Sequence, residues 1–154
     1  MTPLDLHWLL PRRLALGSHP GRAGPLDDVL PRYRAAGVGA IVTASEHPLP
    51  PSALARAGLA ALHLPVDDEH APEPEQLDAF VAFVDAQAAK GNATLVHCFS
   101  GVGRAGTFAA AYLIAGGESA QAAVARVRAC RSPWCVESPA QLAALSAYER
   151  ARAC

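Results

Sequence analysis

Leu77, Phe80, Val81 and Val84 recur at helical spacing between Pro74 and Gly91, with small and polar residues between them. That stripe predicts a helix with one buried face, started by Pro74 in its first turn and stopped by Gly91. Ahead of it the pattern changes. "VGAIVTAS" (38–45) and "LAALHLPV" (59–66) are apolar runs of strand length, and the first leads into a proline-rich loop, "EHPLPP". "ATLVH" (93–97) is a third strand. Asp27 to Ala36 predicts a helix with Pro31 in an early turn and Gly37 at the C-terminal cap position. Thr107 to Ala115 reads as a strongly apolar, buried helix. "ESAQAAVARVRAC" (118–130) and "SPAQLAALSAYERARAC" (138–154) predict two more, the last capped by Ser138 with Pro139 at its first position. The N-terminal "HWLLPRRLALG" reads as short extended pieces broken by Pro11. Strands alternating with helices predict an α/β fold: one domain over residues 1–154, a mostly parallel central sheet flanked by helices.

Composition narrows the partners. The chain has 154 residues, 51% of them hydrophobic and much of that alanine, with 18% charged residues and a formal net charge of -1. A balance this close to neutral offers no broad electrostatic attraction to nucleic acid or to an anionic membrane, so anion binding has to be local. No apolar run approaches the roughly 18 to 20 residues that span a bilayer. The N-terminus carries its arginines after the apolar stretch, the reverse of a signal peptide. These features predict a cytoplasmic protein in which Cys98, Cys130, Cys135 and Cys154 are reduced.

The chemistry concentrates in "HCFSGVGRAGT" (97–107). Gly101, Gly103 and Gly106 have the G-x-G-x-x-G spacing of a dinucleotide fingerprint. That motif also needs an acid about 20 residues on, at the end of a second strand, to bind a ribose hydroxyl. The acid in range is Glu118, in a turn between two predicted helices. Counted from Cys98, the same stretch is a cysteine, five residues and an arginine. The strand delivers Cys98 to the C-terminal edge of the sheet, where open α/β folds bind ligands. Phe99, Ser100, Gly101, Val102 and Gly103 then curl into a nest of backbone N–H groups for a tetrahedral anion, with Gly101 and Gly103 allowing positive φ. Arg104 starts a helix and presents a planar fork to phosphate oxygens. The same positive field favours the Cys98 thiolate, the reactive form.

This stretch resembles the signature loop of cysteine-based protein tyrosine phosphatases. The chain as a whole, including "HWLLPRRLALG", "GVGAIVTASE" and the helices after the loop, resembles a small atypical dual-specificity phosphatase. The resemblance implies two-step hydrolysis of a phosphate monoester through a cysteinyl-phosphate. Cys98 attacks, and Arg104 and the loop amides hold the oxygens. An aspartate about thirty residues upstream protonates the leaving oxygen, then activates water. Asp68 stands at that spacing, with Asp67 as the alternative. Low-molecular-weight phosphatases carry the same loop at the N-terminus, an order this chain lacks. The family usually has serine or threonine after the arginine, where a hydroxyl stabilises the departing thiolate; here the residue is Ala105 and the nearest hydroxyl is Thr107. The resemblance further implies that His97 tunes the loop and that Gln141 positions water. A backbone-satisfied buried histidine and a solvated helix face remain the alternatives, and Glu137 is a weaker candidate.

Other readings stay open at this level. His63, Asp67, Asp68, Glu69 and His70 crowd one strand–loop region and could hold a metal, making the protein a metal-dependent hydrolase. Cys130 and Cys135 lack the spacing of a structural zinc site. Ala105 leaves room for a phosphate-binding module with little turnover. The favoured expectation is a monomeric, cofactor-free phosphatase acting on phosphotyrosine and phosphoserine or phosphothreonine in proteins or peptides. The loop has no lysine to read further phosphates, which ranks lipid substrates lower; a mononucleotide or RNA 5′-phosphate gets no help from the net charge.

Overall fold

The computed structural model describes residues 2–153, so the reading of Cys154 lies outside the described residues. A hairpin of β1 (His7–Leu10) and β2 (Leu14–Gly17) opens the chain, followed by a 3₁₀ turn at Pro20–Ala23. Then come α1 (Leu26–Ala35), β3 (Val38–Thr43), α2 (Pro51–Arg56) and β4 (Ala60–His63). The second half is α3 (Pro74–Ala89), β5 (Ala93–His97), α4 (Gly103–Ala115), α5 (Ala120–Cys130) and α6 (Pro139–Ala153).

The five strands form one sheet in the order β1-β2-β5-β3-β4, parallel except for the β1–β2 hairpin. The fold class is α/β, as the alternation of elements predicts. Side chains on β2, β3 and β5 alternate between two apolar layers, as a pleated strand requires. Leu14, Leu16, Val42 and Val96 pack against α3 to α6, while Ala15, Ile41 and Leu95 pack against α1 and α2. Being covered on both faces leaves β3 and β5 buried at every position. Leu77, Phe80 and Val84 of α3 enter the larger layer, whereas Val81 is only half-buried.

Four elements depart from the sequence reading. Helix α2 was not anticipated: Pro51 sits at its first position, where a missing N–H costs nothing, so the proline-rich stretch starts a helix instead of remaining loop. Strands β3 and β4 end at Thr43 and His63, shorter than the apolar runs. Beyond β4 the chain still pairs, with the Leu64 N–H donating to the Thr43 carbonyl at 2.9 Å and Val66 to Ala44 at 3.0 Å. Helix α4 begins at Gly103, one residue before Arg104 and four before the apolar stretch at Thr107, so Arg104, Ala105 and Gly106 lie in its first turn. Glycine lowers helix propensity, but tertiary packing overrides it here: Gly106 lies where a Cβ would press on Cys135 and Val136.

Register decides where the loops emerge. Gly17, His97, Thr43 and His63 are paired across the sheet, so β2, β5, β3 and β4 all end on one line. The segments that follow them start side by side at the C-terminal edge.

Candidate active site

Cys98 follows β5, and the next residues turn back on themselves before α4 begins. The Gly101 N–H points to the Cys98 Sγ at 3.3 Å, the direction expected of a nest built around an anion. Gly101 has φ +77°, and a Cβ there would collide with the Gly17 backbone. Two demands thus coincide at one residue, a left-handed conformation and a close approach by β2. Gly101→Ala is expected to cost about 2 to 4 kcal/mol, read as a lower midpoint in urea unfolding; an unchanged midpoint would contradict the clash. Gly103 is a glycine for another reason. It is helical, without the positive φ the sequence suggested, and a Cβ there would run into the Glu137 carboxylate.

His97 is fully buried. One ring nitrogen, Nδ1, lies 2.9 Å from the Cys98 carbonyl, which can only accept, so Nδ1 carries the proton. Nε2 then accepts from the Thr43 hydroxyl at 2.8 Å. Burial holds the ring neutral, with its pKa pushed down to about 4. His97 therefore links the ends of β3 and β5 and fixes the carbonyl behind the cysteine.

Arg104, in the first turn of α4, is buried with its guanidinium shared between the loops after β3 and β4. Nη1 donates to the Val66 carbonyl at 2.8 Å and to Glu46, and Nη2 lies 3.6 Å from Asp68 Oδ1. Its buried Nε–H has no partner among the described residues. That is a donor a bound oxyanion would satisfy. Glu46 was missed in the sequence, although an acid just past a strand's C-terminal end is a signal that could have marked it. The Glu46 backbone N–H and Arg104 hold its carboxyl below the usual range. His19, Ser45, Glu46, Asp68, Phe99 and Arg104 line one pocket of about 350 Å³.

Asp68 sits on a strained turn: Glu69 has φ +66°, its N–H donates to Asp68 Oδ1 at 3.0 Å, and the His70 N–H donates to the Asp67 carbonyl at 3.0 Å. Asp68 lines the pocket, whereas Asp67 is not among its lining residues. The turn is pinned by the start of α6, where Ser138 Oγ donates to the Glu69 carbonyl at 2.7 Å and Gln141 Nε2 to the His70 carbonyl at 3.1 Å. Gln141 is fully buried, and its Oε1 accepts the Glu137 and Ser138 N–H groups. This corrects the solvated-face alternative: its amide is enclosed and ties two loops together. Ser138 caps α6 as expected, accepting the Gln141 N–H at 3.2 Å. Glu137 borders the site, its carboxyl pushed up by burial and by Asp68 and Glu69.

Ala105 is fully buried, and the Thr107 hydroxyl donates to the Gly103 carbonyl at 2.7 Å, so its one proton is used within its own helix. The residues of the metal alternative do not converge: His63 Nε2 bonds the Ser45 carbonyl at 2.8 Å and His70 Nδ1 the Asp68 carbonyl at 3.0 Å. Among the described residues no three His, Cys, Asp or Glu side chains group to hold a metal ion. Cys98 and Cys135 are buried and Cys130 partly so, all as free thiols. No helix among the described residues is long and apolar enough to cross a membrane.

Known proteins resemble this chain in sequence and in fold. Rat (Rattus norvegicus) dual specificity protein phosphatase 12 is 36% identical over 104 residues, which is 66% of this chain and 29% of that protein. The mouse (Mus musculus) protein of that name is 34% identical over 84 residues, so the chain spans less than a third of the curated relatives it matches. The crystal structure of Tk-PTP in its active form superposes with a TM-score of 0.85 at 28% identity, covering 97% of this chain and 99% of that one. Human DUSP28 superposes with a TM-score of 0.81 at 29% identity, covering 99% and 98%. The family model described as the Swiss Army Knife protein, DSP-PTPase phosphatase domain, matches residues 3–153. A sheet edge from which a cysteine, a turn with an inward amide and a buried arginine follow one another thus accompanies a family match over nearly the whole chain: this chain belongs to the DSP-PTPase phosphatase-domain family and has the fold of the small atypical dual-specificity phosphatases.

Proposed function

We propose that this protein hydrolyses phosphate monoesters on tyrosine, and on serine or threonine, of protein or peptide substrates through a cysteinyl-phosphate. The observation that carries the reading is a pair of donors in the Cys98–Arg104 loop: an amide aimed at the Cys98 sulfur, and an arginine with one buried N–H unsatisfied. Cys98 Sγ forms a bond to phosphorus as the ester oxygen leaves, and Asp68 gives that oxygen its proton. Water, deprotonated by Asp68, then breaks the S–P bond and releases inorganic phosphate and the thiolate. Arg104 and the amides of residues 99 to 104 hold the equatorial oxygens throughout, which is where the transition state gathers charge. The exposed Phe99 ring on the rim supports an aryl phosphate, since it offers a face to a tyrosine ring. The protein is read as a cytoplasmic monomer.

The second step is the slow one in this proposal. A departing thiolate without a hydroxyl donor is a poorer leaving group, and both nearby candidates are lost: Ala105 has no hydroxyl and the Thr107 proton is spent on Gly103. Rapid mixing with p-nitrophenyl phosphate should release a burst of nitrophenolate near one equivalent, then a slower steady rate. Ala105→Ser should raise that steady rate about fivefold or more and shrink the burst. Linear product release from the first turnover would contradict a rate-limiting second step.

A further inference from the structure

The cradle has an outer side as well as an inner one, and its carbonyls are held there by a residue the phosphatase reading does not use. Arg131, immediately after α5, donates from Nη2 to the Ser100 carbonyl at 2.7 Å and from Nε to the Gly101 carbonyl at 2.8 Å. Its remaining contacts are with Asp5, through Nη1 to Oδ1 and Nη2 to Oδ2, both at 2.7 Å. Asp5 is itself fixed by the Ser18 N–H at 3.0 Å and by His7 Nε2 at 2.8 Å. Four segments far apart in sequence meet here: residue 5, the end of β2, the cradle and the end of α5.

The consequence follows from peptide geometry. In a trans peptide the C=O and the next N–H point in opposite directions. A donor that pulls the Ser100 carbonyl outward therefore turns the Gly101 N–H inward, where it meets Cys98 Sγ. The outward Gly101 carbonyl likewise turns the Val102 N–H away from Arg131. We propose that Arg131, oriented by Asp5, is a positioning residue that sets these two peptide units so that their N–H groups face a bound anion. A planar fork held by a carboxylate does this better than a single ammonium, because it reaches two carbonyls at fixed separation. Burial pushes the Asp5 carboxyl up, but hydrogen bonds from Arg131 and Ser18 outweigh it and hold its pKa at about 2, so the pair stays charged under ordinary conditions. The inference rests on the reading of this loop as a phosphate cradle.

The test compares the wild type with Arg131→Lys, Asp5→Asn and Arg128→Lys. Arg128 is the control: it also leaves α5 to hold two carbonyls, but those of Cys135 and Val136 instead of the cradle. Each folded protein, below its own melting midpoint, is treated with the neutral reagent iodoacetamide under rising inorganic phosphate. The half-protecting concentration is the readout; it does not depend on how fast Cys98 reacts alone. Arg131→Lys and Asp5→Asn should each need about tenfold more phosphate, the loss expected when an amide donor to a charged ligand turns away. Arg128→Lys should stay within about twofold even if its melting midpoint falls as far. Equal protection in all four proteins overturns the inference alone, and an equal loss in Arg128→Lys shows a general loosening and overturns it too. Absence of protection in the wild type overturns the phosphate reading and this inference with it.

Discussion

Cys98→Ser should lower the rate of p-nitrophenyl phosphate hydrolysis by at least about 10⁴-fold, with phosphate binding kept. Serine nearly matches the thiol in size, so the amides and Arg104 keep their places. Its hydroxyl, however, does not ionise at neutral pH, and no neighbouring group serves it as a base: Asp68 lines the pocket to work on the leaving oxygen, the Nδ1 proton of His97 is committed to the Cys98 carbonyl and its Nε2 to the Thr43 hydroxyl. Wild-type activity should survive excess chelator and disappear with vanadate. Hydrolysis retained in Cys98→Ser, or restored only by zinc or manganese, would return the metal-dependent alternative. Phosphate binding with no turnover in the wild type would favour the binding module.

The second large effect is expected at Arg104→Lys, a change that keeps the charge. kcat/KM should fall about 10³-fold, because a single ammonium cannot replace a fork that offers several donors in one plane. The loss has two parts. A lysine has no planar fork to span the Val66 carbonyl and a phosphate oxygen at fixed separation, and its charge is free to collapse onto Glu46, which already binds the arginine. Steady-state kinetics together with vanadate inhibition would separate them: weaker inhibition reports lost anion binding, and a fall in kcat beyond it reports lost transition-state stabilisation. A drop of less than tenfold would mean that the amides alone carry the phosphate.

Much of the architecture was legible because it rests on short-range pattern. The apolar stripe of α3, the buried runs of β3 and β5 and the Ser138–Pro139 start of α6 each follow from local periodicity and capping. The Cys98-to-Arg104 loop was legible for the same reason: its parts are adjacent in the chain, so spacing alone defines them. What escaped was set by neighbours from elsewhere. Gly103 looked like a positive-φ residue and is instead a helical one kept small by Glu137. The apolar stretch of α4 marked only Thr107 onward, and the helix starts at Gly103, one residue before the Arg104 start that the loop reading implied, because glycines argue against helix until the packing around them is known. Gln141 left a water-positioning role and a solvated face both open, and it is enclosed, since both ends of its amide find backbone partners in two different loops.

The sequence by itself determined the α/β alternation, the thiol–arginine loop and the family it resembles, because each is written within a window of a few turns or strands. The tertiary structure alone decided which charged residues reach that loop. Glu46, Asp68, Arg131 and Asp5 come from four separate segments, and they meet only because the sheet register ends four strands on one line and α5 stops beside the cradle. Charge pairing at hydrogen-bond distance depends on position to within a fraction of an ångström. No local pattern of residues carries that information; the packed sheet and helices do.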